Sequence, residues 1–319
     1  MMAPVQNLNQ WRHAVVAFAV ALGVAACSKN ETPPPAAETP PTAANAPVAA
    51  GDGTPQLVMS ADGVHIEYHV YGQEHDKREP AVILIHGWSC DGNYWSAQLA
   101  DLKAKYTTVT VDLAGHGASG RNRTDWSMGN FGEDVAAVAR QLQNAKLILV
   151  GHSMGAPVAL EATRRIGDRV IGIIAVDSLK TIGQPIPSDG QVSAWLKPFH
   201  DNFIGHTREF VTGTLFTKDA DPKFVQKVAY DMSLEPEDVA IPAMEALARM
   251  DFTKVLPDIH VPVVAINSSL PPATDEARIR KSLPTFKSIT VDKTDHFLMM
   301  DAPERFNPVL LQEIAALAK

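Results

Sequence analysis

Residues 146–160 read KLILVGHSMGAPVAL, an apolar run that reaches a serine flanked by two glycines. Residues 147–150 carry no polar side chain, which predicts a strand buried on both faces of a parallel sheet. Gly151 and Gly155 permit a sharp turn at Ser153 and a close approach of strand and helix, because neither glycine has a Cβ. The segment therefore predicts a strand, a tight turn that carries Ser153, and a helix.

This G-x-S-x-G turn, with its strand before and its helix after, resembles the nucleophile elbow of the α/β-hydrolase family. Members of that family hydrolyse esters, lactones, amides and related bonds. The resemblance extends over 57–319 and leaves out the first 56 residues. It implies that Ser153 is a nucleophile.

Strand and helix patterns alternate along the chain, which predicts an α/β fold with a mostly parallel, doubly wound sheet. The strand patterns outside the elbow lie at 57–59, 64–71, 81–85, 108–111, 170–176, 261–266 and 288–291. Helix patterns occur at 94–105, 128–143 and 304–318. By resemblance to the family, we expect a sheet of about eight strands.

The stretch from about 179 to 250 has no strong strand pattern and is rich in aromatic residues and methionine. Its length and its place between two strands of one sheet match the helical cap that many α/β-hydrolases insert after the sixth strand. Such a cap covers the substrate pocket and excludes water.

Directly after the third strand pattern, the segment His86-Gly87-Trp88 matches the H-G-x loop of the family. By resemblance, the backbone N–H groups of Trp88 and Met154 form the oxyanion hole. Backbone donors suit this task because they are held rigidly where negative charge develops.

Four of the eleven histidines follow Ser153. In this family the chain order is serine, acid, histidine. His200 and His206 lie in the predicted cap, and His260 precedes a strand, which puts it at the wrong edge of the sheet. His296 follows the last strand and is the predicted base, although Asp295 stands where the family more often has glycine.

The sequence leaves two candidates for the acid that would orient the histidine. Most relatives carry it directly after the strand that follows the cap, where this chain reads NSSLPP at 267–272 without a carboxylate. Asp177 ends the strand before the cap, a place from which some relatives take the acid. Asp275 is the alternative if the loop folds back. We favour Asp177, because a strand end fixes a side chain better than a long loop.

Residues 1–26 follow an export pattern, with Arg12 near the start and an apolar run at 14–26. The run ends in VAAC, which resembles a bacterial lipobox and implies lipidation of Cys27. We expect a lipoprotein signal peptide at 1–26 and a Pro- and Ala-rich tether at 27–56. An ordinary signal peptide is the alternative. Ser28 replaces the aspartate that often marks inner-membrane retention, which favours the outer membrane, facing the periplasm.

Net charge and cysteine count limit the classes of partner and the covalent links that we expect. The formal net charge is −8 and no basic block is longer than two residues, which argues against nucleic acid. If Cys27 carries lipid, Cys90 is the only remaining thiol and no internal disulfide forms.

The sequence thus predicts a lipid-anchored serine hydrolase that cleaves carboxylic esters or lactones of small to medium acyl compounds through Ser153, His296 and Asp177. This chemistry requires no metal and no organic cofactor. The alternatives are a carbon–carbon bond hydrolase or a cofactor-free haloperoxidase-like enzyme of the same fold. A further alternative is a catalytically idle ligand-binding lipoprotein.

Overall fold

The computed structural model describes residues 52–319. The predicted signal peptide, Cys27 and the tether as far as residue 51 lie outside these residues. The first strand begins at Pro55 rather than at residue 57. Asp52 already contacts the folded domain, because its carboxylate accepts a hydrogen bond from the N–H of Gly72 at 3.1 Å.

Eight strands form one sheet in the order β1-β2-β4-β3-β5-β6-β7-β8. The strands are β1 Pro55–Met59, β2 His65–Tyr71, β3 Ala81–Ile85, β4 Thr108–Val111, β5 Leu147–His152, β6 Val170–Val176, β7 Val263–Ser268 and β8 Phe286–Val291. The pairs β1–β2 and β2–β4 are antiparallel and the other pairs are parallel. The predicted fold class is confirmed.

The register of the parallel strands places the candidate residues side by side. His152 pairs with Val176, and Val176 pairs with Ile266, so β5, β6 and β7 end at one edge of the sheet. Ser153 and Asp177 are the residues that directly follow β5 and β6. Carboxyl ends of parallel strands are the usual place for a ligand site in open α/β sheets.

Ten α-helices accompany the sheet in the described part of the chain. They are α1 Ser96–Lys103, α2 Met128–Gln141, α3 Gly155–Ile166, α4 Asp189–Asp201, α5 Phe203–Thr214, α6 Pro222–Met232, α7 Glu237–Ala248, α8 Glu276–Ile279, α9 Leu298–Asp301 and α10 Pro303–Leu317. Helices α2 and α3 pack together, whereas α1, α9 and α10 form a second group. Both groups pack on the sheet.

The helix expected at 94–105 is shorter than its pattern. A 3-10 turn occupies Gly92–Trp95, with the Asp91 side chain accepting a hydrogen bond from the N–H of Asn93, and α1 starts only at Ser96. Trp95 is fully buried and ends the turn. The tighter turn thus replaces the first part of the expected α-helix.

Helices α4 to α7 form the cap between β6 and β7. The Ser188 side chain and Gln191 form a reciprocal capping box that starts α4. The cap helices pack on one another, and the fully buried side chains of Phe199 and Val211 belong to their shared core. Within residues 52–319 we find no helix both long and apolar enough to cross a lipid bilayer.

A buried ion pair fixes the N-terminal hairpin to α2. The Arg123 guanidinium donates to both carboxylate oxygens of Asp134, at 2.5 and 3.0 Å, and to Asp62 at 2.6 Å. The side chains of Arg123 and Asp134 are 1% and 0% exposed. Ser60 Oγ donates to Asp134 as well, at 2.6 Å. The hairpin turn and the helix thus share one charge network, in which Arg123 and Asp134 are buried and Asp62 is 35% exposed.

Candidate active site

Ser153 lies on the sharp turn between β5 and α3, with a φ of +50° in the left-handed region. A side chain at Gly151 would overlap the backbone of Gly155, and one at Gly155 would overlap the carbonyl of Ile85. Both glycines are therefore required by the close approach of α3 to the sheet. The turn is held by hydrogen bonds from Ser153 N to the Val176 carbonyl and from Ser178 Oγ to the Ser153 carbonyl, at 2.9 and 2.8 Å.

His296 and Asp177 are paired. His296 Nδ1 lies 2.6 Å from Asp177 Oδ2, and the two side chains are 14% and 4% exposed. Because a carboxylate only accepts hydrogen bonds, the pair places the ring proton on Nδ1 and leaves Nε2 as the acceptor nitrogen. The N–H of His296 donates to the carbonyl of Leu215 at the end of α5, at 3.1 Å.

The other oxygen of Asp177 receives three donors. Ser268 N and Ser268 Oγ each lie 2.8 Å from Oδ1, and Lys180 Nζ lies 2.9 Å from it. Burial acts to raise the pKa of Asp177, but the hydrogen bonds and charges of His296 and Lys180 outweigh it and hold the pKa below its ordinary value. Asp177 is therefore an anion at neutral pH.

A cavity of about 530 Å³ lies between the sheet edge and the cap. Ser153, Asp177 and His296 all line it. The structure records no hydrogen bond from Ser153 Oγ to His296 within the described chain, and such contacts often tighten only when substrate binds. Other wall residues are Trp88, Cys90, Lys180, Trp195, Phe210, Phe216, Met232, Met244, Met250 and Phe297.

The serine on its elbow and the histidine–aspartate pair lie within the part of the chain that matches a known family. The model of the alpha/beta hydrolase family matches residues 82–309. The chain belongs to the alpha/beta hydrolase family. It is therefore an enzyme, a hydrolase.

Among curated proteins, this alpha/beta hydrolase is 24% identical over 239 residues to the 2-(acetamidomethylene)succinate hydrolase of Mesorhizobium japonicum, covering 70% of this chain and 84% of that protein. It is 25% identical over 262 residues to 3-oxoadipate enol-lactonase 2 of Acinetobacter baylyi, covering 78% and 92%. The structure of an esterase from Exiguobacterium antarcticum matches with a TM-score of 0.71 at 20% identity, over 82% of this chain and 100% of that one. That last likeness shows the fold alone.

Asp275, the alternative acid, lies elsewhere in this hydrolase. Its side chain is 52% exposed and caps α8 by accepting a hydrogen bond from the N–H of Arg278 at 2.9 Å. It is not among the residues that line the cavity. The loop after β7 therefore does not bring Asp275 to His296, and Asp177 is the carboxylate that contacts the ring.

The N–H groups of Trp88 and Met154 point to no partner among the hydrogen bonds of the described residues. The Trp88 indole Nε1 donates to the Ala240 carbonyl of α7 at 2.7 Å. Its ring makes edge contacts with three phenylalanines of the cap, at centroid distances of 5.9 to 6.4 Å. The cap thus fixes the residue whose backbone was expected to contribute to the oxyanion hole.

Three contacts around His296 were not expected from the sequence. His152 Nε2 lies 2.9 Å from the His296 carbonyl, and burial lowers the pKa of His152 to about 3, so its ring is neutral. Asp295 accepts a hydrogen bond from the N–H of Thr217 in the cap at 2.7 Å, a contact that glycine could not make. Lys180 is the third. Its only sequence signal is a position three residues after Asp177.

Neither a metal site nor a second nucleophile is evident in the described residues. No group of three or more His, Cys, Asp or Glu side chains is arranged to hold a metal ion in 52–319. Cys90 is buried at the cavity wall, and burial raises the pKa of its thiol well above the ordinary value. The Cys90 thiol is therefore protonated at neutral pH.

Proposed function

We propose that this alpha/beta hydrolase cleaves carboxylic esters or lactones of small to medium acyl compounds, with Ser153 as nucleophile, His296 as base and Asp177 as its acid partner. The observation that carries the proposal is the 2.6 Å contact of His296 Nδ1 with Asp177 Oδ2, in a cavity that Ser153 also lines. A serine hydroxyl is a weak nucleophile at neutral pH and needs such a base.

In the first half of the reaction, His296 Nε2 takes the proton of Ser153 Oγ while Oγ attacks the carbonyl carbon of the substrate. The N–H groups of Trp88 and Met154 donate to the oxyanion, and each such donor lowers the barrier by about 3 kcal/mol. The protonated ring then gives its proton to the leaving alcohol oxygen as the C–O bond breaks. The acyl group remains on Ser153.

In the second half, His296 removes a proton from a water molecule, and the hydroxide attacks the acyl carbon. Collapse of this intermediate breaks the bond to Ser153 Oγ, which recovers its proton from His296. The products are a carboxylic acid and an alcohol, or a hydroxy acid from a lactone. Asp177 stays ionised throughout and stabilises the imidazolium that forms in each half.

The cavity supports a substrate of moderate size with an apolar acyl or alkoxy part. Its volume of about 530 Å³ falls within the range of small-molecule sites. Trp195, Phe210 and Met232 give the wall an apolar character, and methionine adapts to ligands of different shape. The enol-lactonase among the relatives supports an ester or lactone bond as the target.

The test is the intact mass of the protein after exposure to a fluorophosphonate, for wild type and for Ser153→Ala. We expect one adduct on the wild type and none on the variant, followed by turnover of simple activated esters or lactones by the wild type. A folded wild-type protein that takes up no adduct would refute the proposal. An adduct without turnover of any ester or lactone would refute the substrate class and favour a hydrolase of another bond, such as a carbon–carbon bond.

We also propose that the chain is a bacterial lipoprotein, anchored through Cys27 in the outer membrane and facing the periplasm. The support is the apolar run at 14–26 that ends in VAAC, with Ser28 after the cysteine. Cells fed an alkyne-labelled fatty acid should label the wild-type protein and not Cys27→Ser. Unlabelled wild-type protein would contradict the anchor, and recovery in the inner-membrane fraction would contradict the outer-membrane assignment.

A further inference from the structure

Lys180 is a buried cation bound to the same carboxylate as His296. Its ammonium lies 2.9 Å from Asp177 Oδ1 and donates to the Leu270 carbonyl at 3.0 Å, and its side chain is 11% exposed. Because Asp177 Oδ2 faces His296, the carboxylate lies between an ammonium group and the imidazole ring. The reaction described above assigns Lys180 no role.

The position of Lys180 is fixed by its own backbone. Arg278 reaches from α8 and donates to the carbonyls of Lys180 and Ile182, at 2.6 and 3.0 Å. The preceding residue, Leu179, is held in the left-handed region with a φ of +61°, which an L-residue seldom adopts without support. The ammonium is thus presented to Asp177 by a clamped loop and not by a freely moving surface side chain.

We propose that Lys180 is a positioning residue of this site: its ammonium holds the Asp177 carboxylate in place for His296 and tempers the basicity that Asp177 confers on the ring. The proposal rests on the proposed function. Before the reaction, the Lys180 ammonium and the His296 ring lie on opposite oxygens of the Asp177 carboxylate. When His296 takes the proton of Ser153, two cations share one carboxylate.

The sign of the effect follows from charge. An uncharged residue in place of Lys180 leaves Asp177 facing His296 alone, so the imidazolium becomes more stable relative to the neutral ring. The other titratable groups beside the ring have their own partners. His152 is neutral with its ring 4.7 Å away, and Asp295 faces Thr217 of the cap. The loss of the Lys180 charge is therefore the change that dominates.

The experiment compares the pH dependence of kcat/KM for full-length wild type, Lys180→Met and Lys180→Arg on one uncharged ester. In Lys180→Met we expect the acid limb to move up by about one pH unit, with a lower kcat. Lys180→Arg keeps the positive charge and should keep the limb of the wild type. Lys146→Met, which removes an exposed lysine just before β5, serves as the matched control and should change neither quantity.

The position of the limb does not depend on how much of a variant folds, so partial misfolding leaves the test valid. An unmoved limb in Lys180→Met, with or without a lower kcat, would overturn the proposal and leave Lys180 a packing role. An equal shift in Lys180→Arg would overturn it too. A wild type that neither reacts with the fluorophosphonate nor hydrolyses esters would refute the proposed function instead, so the two failures are distinct.

Discussion

Replacing Asp177 by asparagine puts an amide where the structure has two acceptor oxygens. Oδ1 accepts hydrogen bonds from Ser268 N and Ser268 Oγ and forms an ion pair with Lys180 Nζ, whereas Oδ2 faces only His296 Nδ1. An asparagine has one acceptor oxygen, and the two Ser268 donors and the Lys180 ammonium hold it at the position of Oδ1. The NH₂ group then faces the ring, Nδ1 becomes the acceptor, and the ring proton moves to Nε2, where it blocks the uptake of the Ser153 proton.

We expect kcat to fall by about 10⁴, the size of the effect that a wrong histidine tautomer has in a serine triad. This corresponds to a barrier higher by about 5 kcal/mol, because each tenfold loss of rate is about 1.4 kcal/mol. KM should change little, because the amide has the shape of the carboxylate. Thermal unfolding of the variant checks that the loss of rate is not a loss of fold.

The assay is steady-state hydrolysis of a chromogenic aryl ester, and Asp275→Asn is the matched control. Asp275 is a helix N-cap, a position at which aspartate and asparagine are about equally favourable. The control should therefore retain nearly all of the wild-type turnover. Asp177→Asn with more than about a tenth of wild-type kcat, or an equal loss in Asp275→Asn, would refute the reasoning, since a wrong tautomer costs far more.

Two further predictions concern stability. Arg123→Met should lower the free energy of unfolding, measured by urea denaturation, by about 3–5 kcal/mol, because it leaves Asp134 buried without its cation. The control Arg121→Met removes an exposed arginine and should change the free energy of unfolding little. An equally small loss in Arg123→Met would contradict the prediction. Burial, with nearby carboxylates, raises the pKa of Glu235 to about 8 from 4.5. The folded wild type thus holds a proton that the unfolded chain has released, so the Glu235 contribution to stability is present below about pH 4.5, declines as the pH rises and is lost above about pH 8. The glutamine of Glu235→Gln does not titrate, so the stability of the variant relative to wild type should rise over this pH range and then stay level. Urea denaturation of both proteins at about pH 5, 7 and 9 measures this difference. A difference that does not change with pH would contradict the prediction.

The sheet and the elbow were predictable because their signals are local. Apolar runs mark the buried strands, and the glycines on either side of Ser153 mark the turn. The sequence did not decide which carboxylate pairs with His296. β6 and β7 are neighbours with Val176 opposite Ile266, so a side chain after either strand can reach the same place. Residues 267–272 contain no carboxylate, and only the structure shows that Ser268 donates two hydrogen bonds to Asp177.

The contacts that surround His296 could not be read from the sequence. His152 reaches the carbonyl of a residue 144 positions away, and Asp295 reaches a backbone N–H 78 positions away. A hydrogen bond from a side chain to a distant backbone atom leaves no periodic pattern, because its partner contributes no particular side chain. The extent of the cavity depends in the same way on how the cap packs on the sheet.

The cap of this enzyme cannot be exchanged without affecting the active site. Three hydrogen bonds join the cap to the site. The carbonyls of Ala240 and Leu215 accept from the Trp88 indole and from the N–H of His296. The N–H of Thr217 donates to the Asp295 carboxylate. A cap grafted from another family member would need two acceptors and one donor at the same three points, or turnover would fall whatever its fit to the substrate. Replacing the whole cap is thus a poor way to change substrate specificity. Single substitutions among the cap residues that line the cavity, such as Met232, leave these three hydrogen bonds in place.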